Sequence, residues 1–236
     1  MKKSVLLAAG ALCAMSASAQ SYLLNNPDNH SYLGIRASYN MSLPGKIKTD
    51  AGGTRSDIKL LGKGSGFSLG AVYNMPVVAN MYFEPGVTFS YTTESFKLGY
   101  GDFPEYLNKA MKHSSLRKFG MEVPVQVGYH FDFTPDISLQ VSTGPVLKVG
   151  IVNDYYFTTE DLPLTGVQHS SGSVYGDNGM MRRVDCAWRV GVGFNINKSY
   201  YIGVNGDIGM CNMLQSDDGT ASLHENAFNV TLGYNF

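Results

Sequence analysis

Charged residues are scarce in this sequence. Asp, Glu, Lys and Arg make up 16% of the 236 residues, with 18 basic against 19 acidic side chains. So sparse and balanced a charge argues against a nucleic-acid partner, which requires a basic surface. Cysteine is rare as well, with three in the whole chain, so the sequence cannot build the dense disulfide framework of a small secreted domain.

Long apolar runs are also missing, because no segment after residue 19 reaches the ~20 apolar residues of a transmembrane helix. The one apolar stretch near the N-terminus, residues 5–15, follows Lys2 and Lys3 and precedes the small residues 17–19. This pattern predicts a cleaved signal peptide over residues 1–19 and one exported domain over residues 20–236. Cys13 raises the alternative of a lipoprotein signal, but residues 10–12 fit that motif poorly.

Glycine and tyrosine are abundant instead, with 27 and 15 residues. In the last nine residues, apolar side chains occupy every second position: Phe228, Val230, Leu232, Tyr234 and Phe236. A period of two places them on one face of a β-strand. An aromatic residue in the last position is typical of a strand that seals a transmembrane barrel, with one face toward lipid and the other toward the lumen.

The same alternation recurs in seven earlier segments, at about residues 31–41, 64–75, 79–93, 116–131, 136–152, 182–196 and 200–212. The connections between them alternate between short turns and long loops, the long ones spanning residues 42–63, 94–115, 153–181 and 213–225. This pattern predicts an all-β fold, an eight-stranded antiparallel transmembrane β-barrel of the outer membrane, with short periplasmic turns and long extracellular loops. A soluble β-sandwich also alternates, but its strands usually have only ~5–6 residues.

Charged residues on the face opposite the apolar one are predicted to form a network in the lumen: Arg36, Glu84, Glu122, Lys148, Asp185, Arg189 and Asp207. The interior of an eight-stranded barrel is just wide enough for side chains to fill, and an unpaired charge there is costly. The short turns place Arg189 opposite Asp207 and bring Glu122 near Lys148. We therefore predict a salt-bridge core that plugs the lumen; a gated, narrow ion path is the alternative.

Three short motifs carry a family resemblance: residues 82–87 (YFEPGV), 121–125 (MEVPV) and 144–146 (GPV). They resemble strands of the PorT-like outer-membrane β-barrel family common in Bacteroidetes. The resemblance implies a small barrel in the outer membrane and, for some members, a link to protein secretion. The last strand, residues 228–236, also resembles the signal read by the barrel-assembly machinery.

Neither a catalytic site nor a cofactor is predicted. The motif His169-Ser170-Ser171 lies in a predicted loop, and no carboxylate is placed to orient the histidine. The other histidines lack metal-ligand spacing. Cys186 and Cys211 are predicted to lie on opposite faces of adjacent strands, which argues against a disulfide.

The sequence thus predicts a structural or interaction role exercised through extracellular loops. The expected partners are outer-membrane lipid, the barrel-assembly machinery during biogenesis and an extracellular or envelope protein. Two alternatives stay open: a narrow pore for ions or small solutes, and an accessory component of a secretion or envelope-assembly system.

Overall fold

The computed structural model describes residues 31–43, 46–51, 54–99, 111–159, 169–175, 181–215 and 221–236, and the predicted signal segment 1–19 lies outside these ranges. Every regular element within them is a β-strand. The strands are β1 (Tyr32–Ser42), β2 (Lys46–Ala51), β3 (Thr54–Val78), β4 (Met81–Gly99), β5 (Met111–Thr134), β6 (Ile137–Thr159), β7 (His169–Ser173), β8 (Val184–Ile196), β9 (Tyr200–Gly209), β10 (Ala221–Ser222) and β11 (Ala227–Asn235). In the part of the chain described, no helix is long and apolar enough to cross a membrane.

Eight of these strands close into a barrel in the order β1, β3, β4, β5, β6, β8, β9 and β11. All neighbours are antiparallel, and the sheet closes because β1 pairs with both β3 and β11. Ile35 on β1, for example, faces Ala71 on one side and Tyr234 on the other. The predicted eight-stranded antiparallel barrel is therefore confirmed, and β2, β7 and β10 are short additions at the end with the long connections.

The barrel is apolar on its outer surface and polar inside. Phe67, Leu69 and Leu232 point outward and expose 68%, 60% and 58% of their surface, respectively. Lumen-facing residues such as Asn40 and Thr88 are polar and buried. A water-soluble barrel would have the reverse arrangement, whereas a transmembrane barrel needs this one because lipid surrounds it.

Aromatic residues mark both margins of this apolar belt. At the upper margin, Phe67, Tyr91 and Phe119 lie opposite one another in register on the neighbouring strands β3, β4 and β5. Near the lower margin, the rings of Tyr129 and Phe131 contact each other in a tilted arrangement, with 4.7 Å between ring centroids. From Phe119 to Phe131 the strand advances about 40 Å, which at a tilt of 45° is about 28 Å of height, close to the thickness of a bilayer core.

Beyond the upper margin the polarity of the two faces is inverted. On β5, Leu116 points into the barrel and is 1% exposed, while its neighbours Ser115 and Arg117 face outward. The strands continue through this region: β5 has 24 residues and β6 has 23. The prediction that 94–115 and 153–181 are loops was therefore wrong at their ends, because a search for an outward apolar face ends where that face becomes polar.

A disulfide joins Cys186 to Cys211, so the prediction against it was also wrong. The predicted seventh strand extended to residue 212, but β9 ends at Gly209. The amides of Met210 and Cys211 both donate to the Cys186 carbonyl, at 2.9 and 3.3 Å. Met210 and Cys211 on one strand thus face the single residue Cys186 on the other, as in a β-bulge. The extra residue turns the Cys211 side chain onto the outer face of the barrel, where Cys186 also lies.

Candidate functional site

The lower lumen is crossed by a chain of hydrogen bonds between side chains, which we call the amide chain. It runs through Arg36, Asn235, Asn195, Gln140, Glu84 and Asn74, on six of the eight barrel strands. Its donor–acceptor distances lie between 2.7 Å, for Arg36 Nη1 to Asn235 Oδ1, and 3.4 Å, for Gln140 Nε2 to Glu84 Oε2. Because these groups are buried, mutual hydrogen bonding reduces the cost of burying them, although Arg36 Nη2 has no hydrogen-bond partner among the described residues.

Two of the predicted lumen charges belong to the amide chain rather than to a salt-bridge core. Glu84 accepts hydrogen bonds from Asn74 and Gln140. Arg36 stacks its guanidinium 4.5 Å from the centroid of the Tyr201 ring. Among the described residues neither Arg36 nor Glu84 has an ion pair within 4.0 Å, so the prediction that they join the ionic core was wrong. Neutral amides and an aromatic face stabilise them instead.

At mid-height Arg189, Asp207, Glu122 and Lys148 form the ionic layer. Arg189 Nε and Nη2 donate to the two oxygens of Asp207 at 2.6 and 2.8 Å, and Nη2 also donates to Glu122 Oε2 at 2.8 Å. Lys148 Nζ lies 3.1 Å from Asp207 Oδ2. Arg189 and Asp207 meet as the registers predicted. Glu122 is opposite Lys148 in register, but the two do not form a short ion pair with each other. Glu122 pairs with Arg189 instead, and Lys148 pairs with Asp207.

Asp185 lies beside the ionic layer and has no ion pair within 4.0 Å among the described residues. It is opposite Lys148 in register and only 6% exposed. Within the described part of the chain its Oδ1 has no hydrogen-bond partner. Of the seven predicted lumen charges, the structure therefore brings four into one network and leaves Asp185 at its edge.

A second ionic cluster, absent from the sequence prediction, lies above the first. Lys118 Nζ is 3.0 Å from Glu94 Oε1 and 2.7 Å from Glu225 Oε2, and the Ser42 hydroxyl donates to Glu225 Oε1 at 3.3 Å. Burial on its own would raise the pKa of Glu225, but the adjacent Lys118 outweighs it and holds that pKa well below its usual range. Glu225 precedes β11 in the chain, so this ion pair ties a connecting segment to the barrel wall.

A simple signal in the sequence could have found this cluster. Lys118 stands four residues before Glu122, and Glu94 ten residues after Glu84, so both keep the even spacing of the lumen face. They were missed because the apolar alternation that marked the strands weakens at this level. Glu225 carried no such signal, because it lies in a connection.

An apolar cluster closes the extracellular mouth, and we call it the mouth cluster: Leu116, Val174, Met181, Leu214 and Leu223. Backbone hydrogen bonds join the segments that carry it. The Val174 amide donates to Asn153, the Arg182 amide to Met213 and the Met213 amide to Leu223, at 2.8, 2.8 and 3.0 Å. These connecting segments thereby complete the wall above the shorter strands, and the disulfide anchors them to β8.

Two small cavities lined by described residues lie between these layers. The lower, of about 50 Å³, is lined by residues including Arg36, Glu84 and Glu122. The upper, of about 90 Å³, is lined by residues including Lys118 and Lys148. Since one water molecule occupies about 30 Å³ of liquid, these volumes have room for a few waters.

The predicted exterior and loop residues are placed as follows. Phe228, Val230, Leu232, Tyr234 and Phe236 all face outward. His169, on β7, is exposed, and its Nδ1 lies 3.2 Å from the Thr158 hydroxyl. Among the residues that the structure describes, no group of three His, Cys, Asp or Glu side chains is placed to hold a metal ion.

A closed sheet of eight antiparallel strands, apolar outside and filled with hydrogen-bonded polar side chains, defines a small transmembrane β-barrel with a packed lumen.

No family model and no curated protein matches the chain. Among solved structures, Ail of Yersinia pestis, in complex with the heparin analogue sucrose octasulfate, is 16% identical with a TM-score of 0.40, covering 88% of this chain and 99% of Ail. The outer membrane protein OprG of Pseudomonas aeruginosa is 13% identical with a TM-score of 0.44, covering 88% and 97%. The outer membrane enzyme PagL is 12% identical with a TM-score of 0.40, covering 85% and 98%. At these identities and TM-scores no residue role is transferred to this chain.

Proposed function

We propose that this chain is an integral β-barrel of the bacterial outer membrane whose lumen is closed to solutes and which acts through its extracellular part. The observation that carries the proposal is the closure of the lumen at separate levels. The amide chain crosses the periplasmic end, the ionic layer fills the middle and the mouth cluster closes the top. What is left for recognition is the surface above the membrane, where binding usually resides on a rigid scaffold.

The narrow pore is disfavoured by the energetics of the ionic layer. Arg189 is held by three short charge-assisted hydrogen bonds to two carboxylates. An ion passing this level would have to separate these pairs, and leaving one buried charge unpaired costs about 3–5 kcal/mol. Side chains of this kind act as a plug unless a conformational change moves the whole layer.

Single-channel recording in planar bilayers tests the proposal. The wild-type protein is expected to show no steady conductance, and Arg189→Ala, which removes the centre of the ionic layer, is compared with the exposed Asp136→Asn as a control. A steady wild-type conductance that changes in Arg189→Ala but not in Asp136→Asn would establish the narrow pore and overturn the closed lumen.

A second proposal, an accessory role in protein secretion or envelope assembly as in the PorT-like family, is favoured by one observation. The three motif segments lie on neighbouring strands at one level, where Pro85 faces Val125, Pro124 faces Val146 and Pro145 faces Trp188. Each proline removes a ladder N–H, so this patch is a local irregularity of the wall suited to a specific neighbour. Co-purification from detergent-solubilised envelope, with Pro145→Val compared with wild type, tests it; a barrel that co-purifies with no envelope protein argues against this role.

We further propose that the protein reaches the membrane through the barrel-assembly machinery and that it catalyses no reaction. In the described part of the chain, the hydrogen bond of the His169 ring is to the Thr158 hydroxyl and not to a carboxylate, which is why we assign this pair no catalysis. Mass spectrometry of lipid A from cells with and without the gene tests this point. A change in acyl chains that is lost with His169→Ala would contradict it.

A further inference from the structure

The outward face of the sheet directly above the apolar belt is regular and polar. Its first row runs across five strands in register and consists of Ser65, Thr93, Arg117, Asp154 and Ser173. It follows immediately on the row of Phe67, Tyr91 and Phe119 at the upper margin of the belt. One step along each strand's outer face thus changes the surface from aromatic to hydroxyl-bearing.

A second row continues the pattern one step higher, with Ser95, Ser115, Tyr156 and Ser171 in register. The hydroxyl of Ser95 donates to the carbonyl of Lys63, whose exposed side chain adds a cation beside this row. We call the two rows together the outer sheet face. Its side chains are mostly short hydroxyls, which bind saccharides and water but give little packing to another protein's apolar core.

Arg117 is a pre-oriented cation in the first row of this face. Its guanidinium carbon lies 4.4 Å from the centroid of the Tyr156 ring, which fixes the planar group against the sheet. Among the described residues no carboxylate lies within 4.0 Å of it, although Asp154 is opposite in register. A stacked guanidinium keeps its N–H donors free for a phosphate, which it binds in bidentate geometry.

The belt margin at this place also provides an enlarged apolar step. The pairing of β5 with β6 shifts between Phe119 and Gly120, and this bulge leaves the neighbouring Ile151 and Val152 both exposed, at 44% and 42%. A regular strand would turn only one of them outward. Beneath the hydroxyls and the arginine there is thus a surface suited to acyl chains.

From this continuity of apolar belt, arginine and hydroxyl rows, we propose that the outer sheet face binds the phosphorylated saccharide headgroup of an outer-leaflet glycolipid, with phosphate on Arg117 and acyl chains against Ile151 and Val152. The inference rests on the proposed placement in the outer membrane. It adds a named chemical partner, because that placement alone requires only lipid of any kind around the belt.

Native mass spectrometry on protein in phospholipid nanodiscs tests the inference with three probes: bisphosphorylated lipid A, the same lipid without phosphates, and phosphatidylethanolamine. Wild type is expected to retain bisphosphorylated lipid A at least tenfold more tightly than the other two. Arg117→Gln should abolish this preference, and Thr93→Val and Ser115→Ala should weaken the binding of both forms of lipid A. The matched control Arg182→Gln removes an exposed arginine that belongs to neither row of the outer sheet face and lines the upper cavity, and it should leave the preference unchanged.

Several outcomes overturn the inference. Equal retention of phosphatidylethanolamine and lipid A would show only belt contact, and equal losses in Arg117→Gln and Arg182→Gln would show non-specific charge. Complete displacement by a soluble sulfated polysaccharide would assign the face to an extracellular polyanion instead. Failure of the wild-type protein to insert into phospholipid nanodiscs would count against the proposed membrane placement itself. Heat-modifiable gel mobility measures the folding of the barrel independently of lipid A binding, so the two failures can be distinguished.

Discussion

Replacing Arg189 by methionine should destabilise the barrel by about 3 kcal/mol. The guanidinium makes three hydrogen bonds of 2.6–2.8 Å to Asp207 and Glu122. Removing one partner of a buried ion pair costs about 3–5 kcal/mol, because the other charge stays buried. The lower end of this range applies, since Asp207 keeps Lys148 at 3.1 Å and Glu122 is the carboxylate left without its partner.

A double-mutant cycle separates this coupling from lost packing. Asp207→Leu alone leaves Arg189 and Lys148 without their common carboxylate, whereas the double variant Arg189→Met/Asp207→Leu leaves Lys148 opposite Glu122, and these two can then pair. The double variant should therefore be less destabilised than the sum of the single variants by about 2 kcal/mol. A simple sum would mean that the two side chains do not interact in the folded barrel.

Urea unfolding in lipid vesicles, followed by the fluorescence of the single tryptophan, Trp188, measures these free energies. Trp188 faces outward next to Arg189, so its emission shifts when the strand leaves the lipid. The control Asp136→Asn changes an exposed charge in a turn and should alter stability by less than about 0.5 kcal/mol. A cost below about 1 kcal/mol for Arg189→Met would refute the packed lumen, because it would mean that water already solvates the guanidinium.

Three further predictions concern the extracellular part and the barrel wall. Because the pKa of Glu225 is held below its usual value of about 4.5, its pair with Lys118 stabilises the fold above that pH, and this contribution is lost as the pH falls toward the lowered pKa. Glu94 also pairs with Lys118, so the test is made in a Glu94→Gln background. In that background Glu225→Gln should flatten the pH dependence of the unfolding midpoint measured between pH 2 and 7, and an unchanged profile would contradict the pairing. Replacing Cys186 and Cys211 by serine should lower the free energy of unfolding by about 3 kcal/mol, as expected for a disulfide that closes a loop of 25 residues. Labelling of these two cysteines by maleimide in the unreduced wild-type protein would show that the bond is absent. Gly144→Ala should reduce the folded fraction on heat-modifiable gels, because the added Cβ would overlap the Val125 carbonyl oxygen. If the variant folded to the same extent as the wild type, the close approach of Gly144 to Val125 would be contradicted.

The membrane-spanning part of the fold could be predicted because one physical constraint acts on every strand there. Lipid requires an apolar outer face, and the narrow lumen requires a polar inner one, so the period of two stays in phase from Phe228 to Tyr234 and along β8. The pairing of Arg189 with Asp207 followed from the same regularity, because a short turn fixes the register of the β8–β9 hairpin.

The extracellular part was not predictable by the same rule, because above the membrane the outer face is polar and the inner face is apolar. Above the belt water is outside, so Leu116 turns inward and the apolar phase shifts by one residue. The disulfide was missed for a related reason, since one bulged residue at the end of β9 reverses the side on which Cys211 lies. Glu225 was beyond reach because its contact with Lys118 joins residues 107 positions apart through an irregular segment.

The unequal heights of the barrel strands give the molecule a front and a back in the plane of the membrane. β5 has 24 residues and β9 has 10, a difference of about 46 Å along the strand or about 33 Å in height at a tilt of 45°. A neighbour diffusing in the bilayer therefore meets a wall completed by connecting segments on the side of β9, but a standing polar sheet on the side of β5. Neighbours that recognise the sheet must approach from one direction, so any assembly built on it would set the rotational orientation of the barrel about the membrane normal.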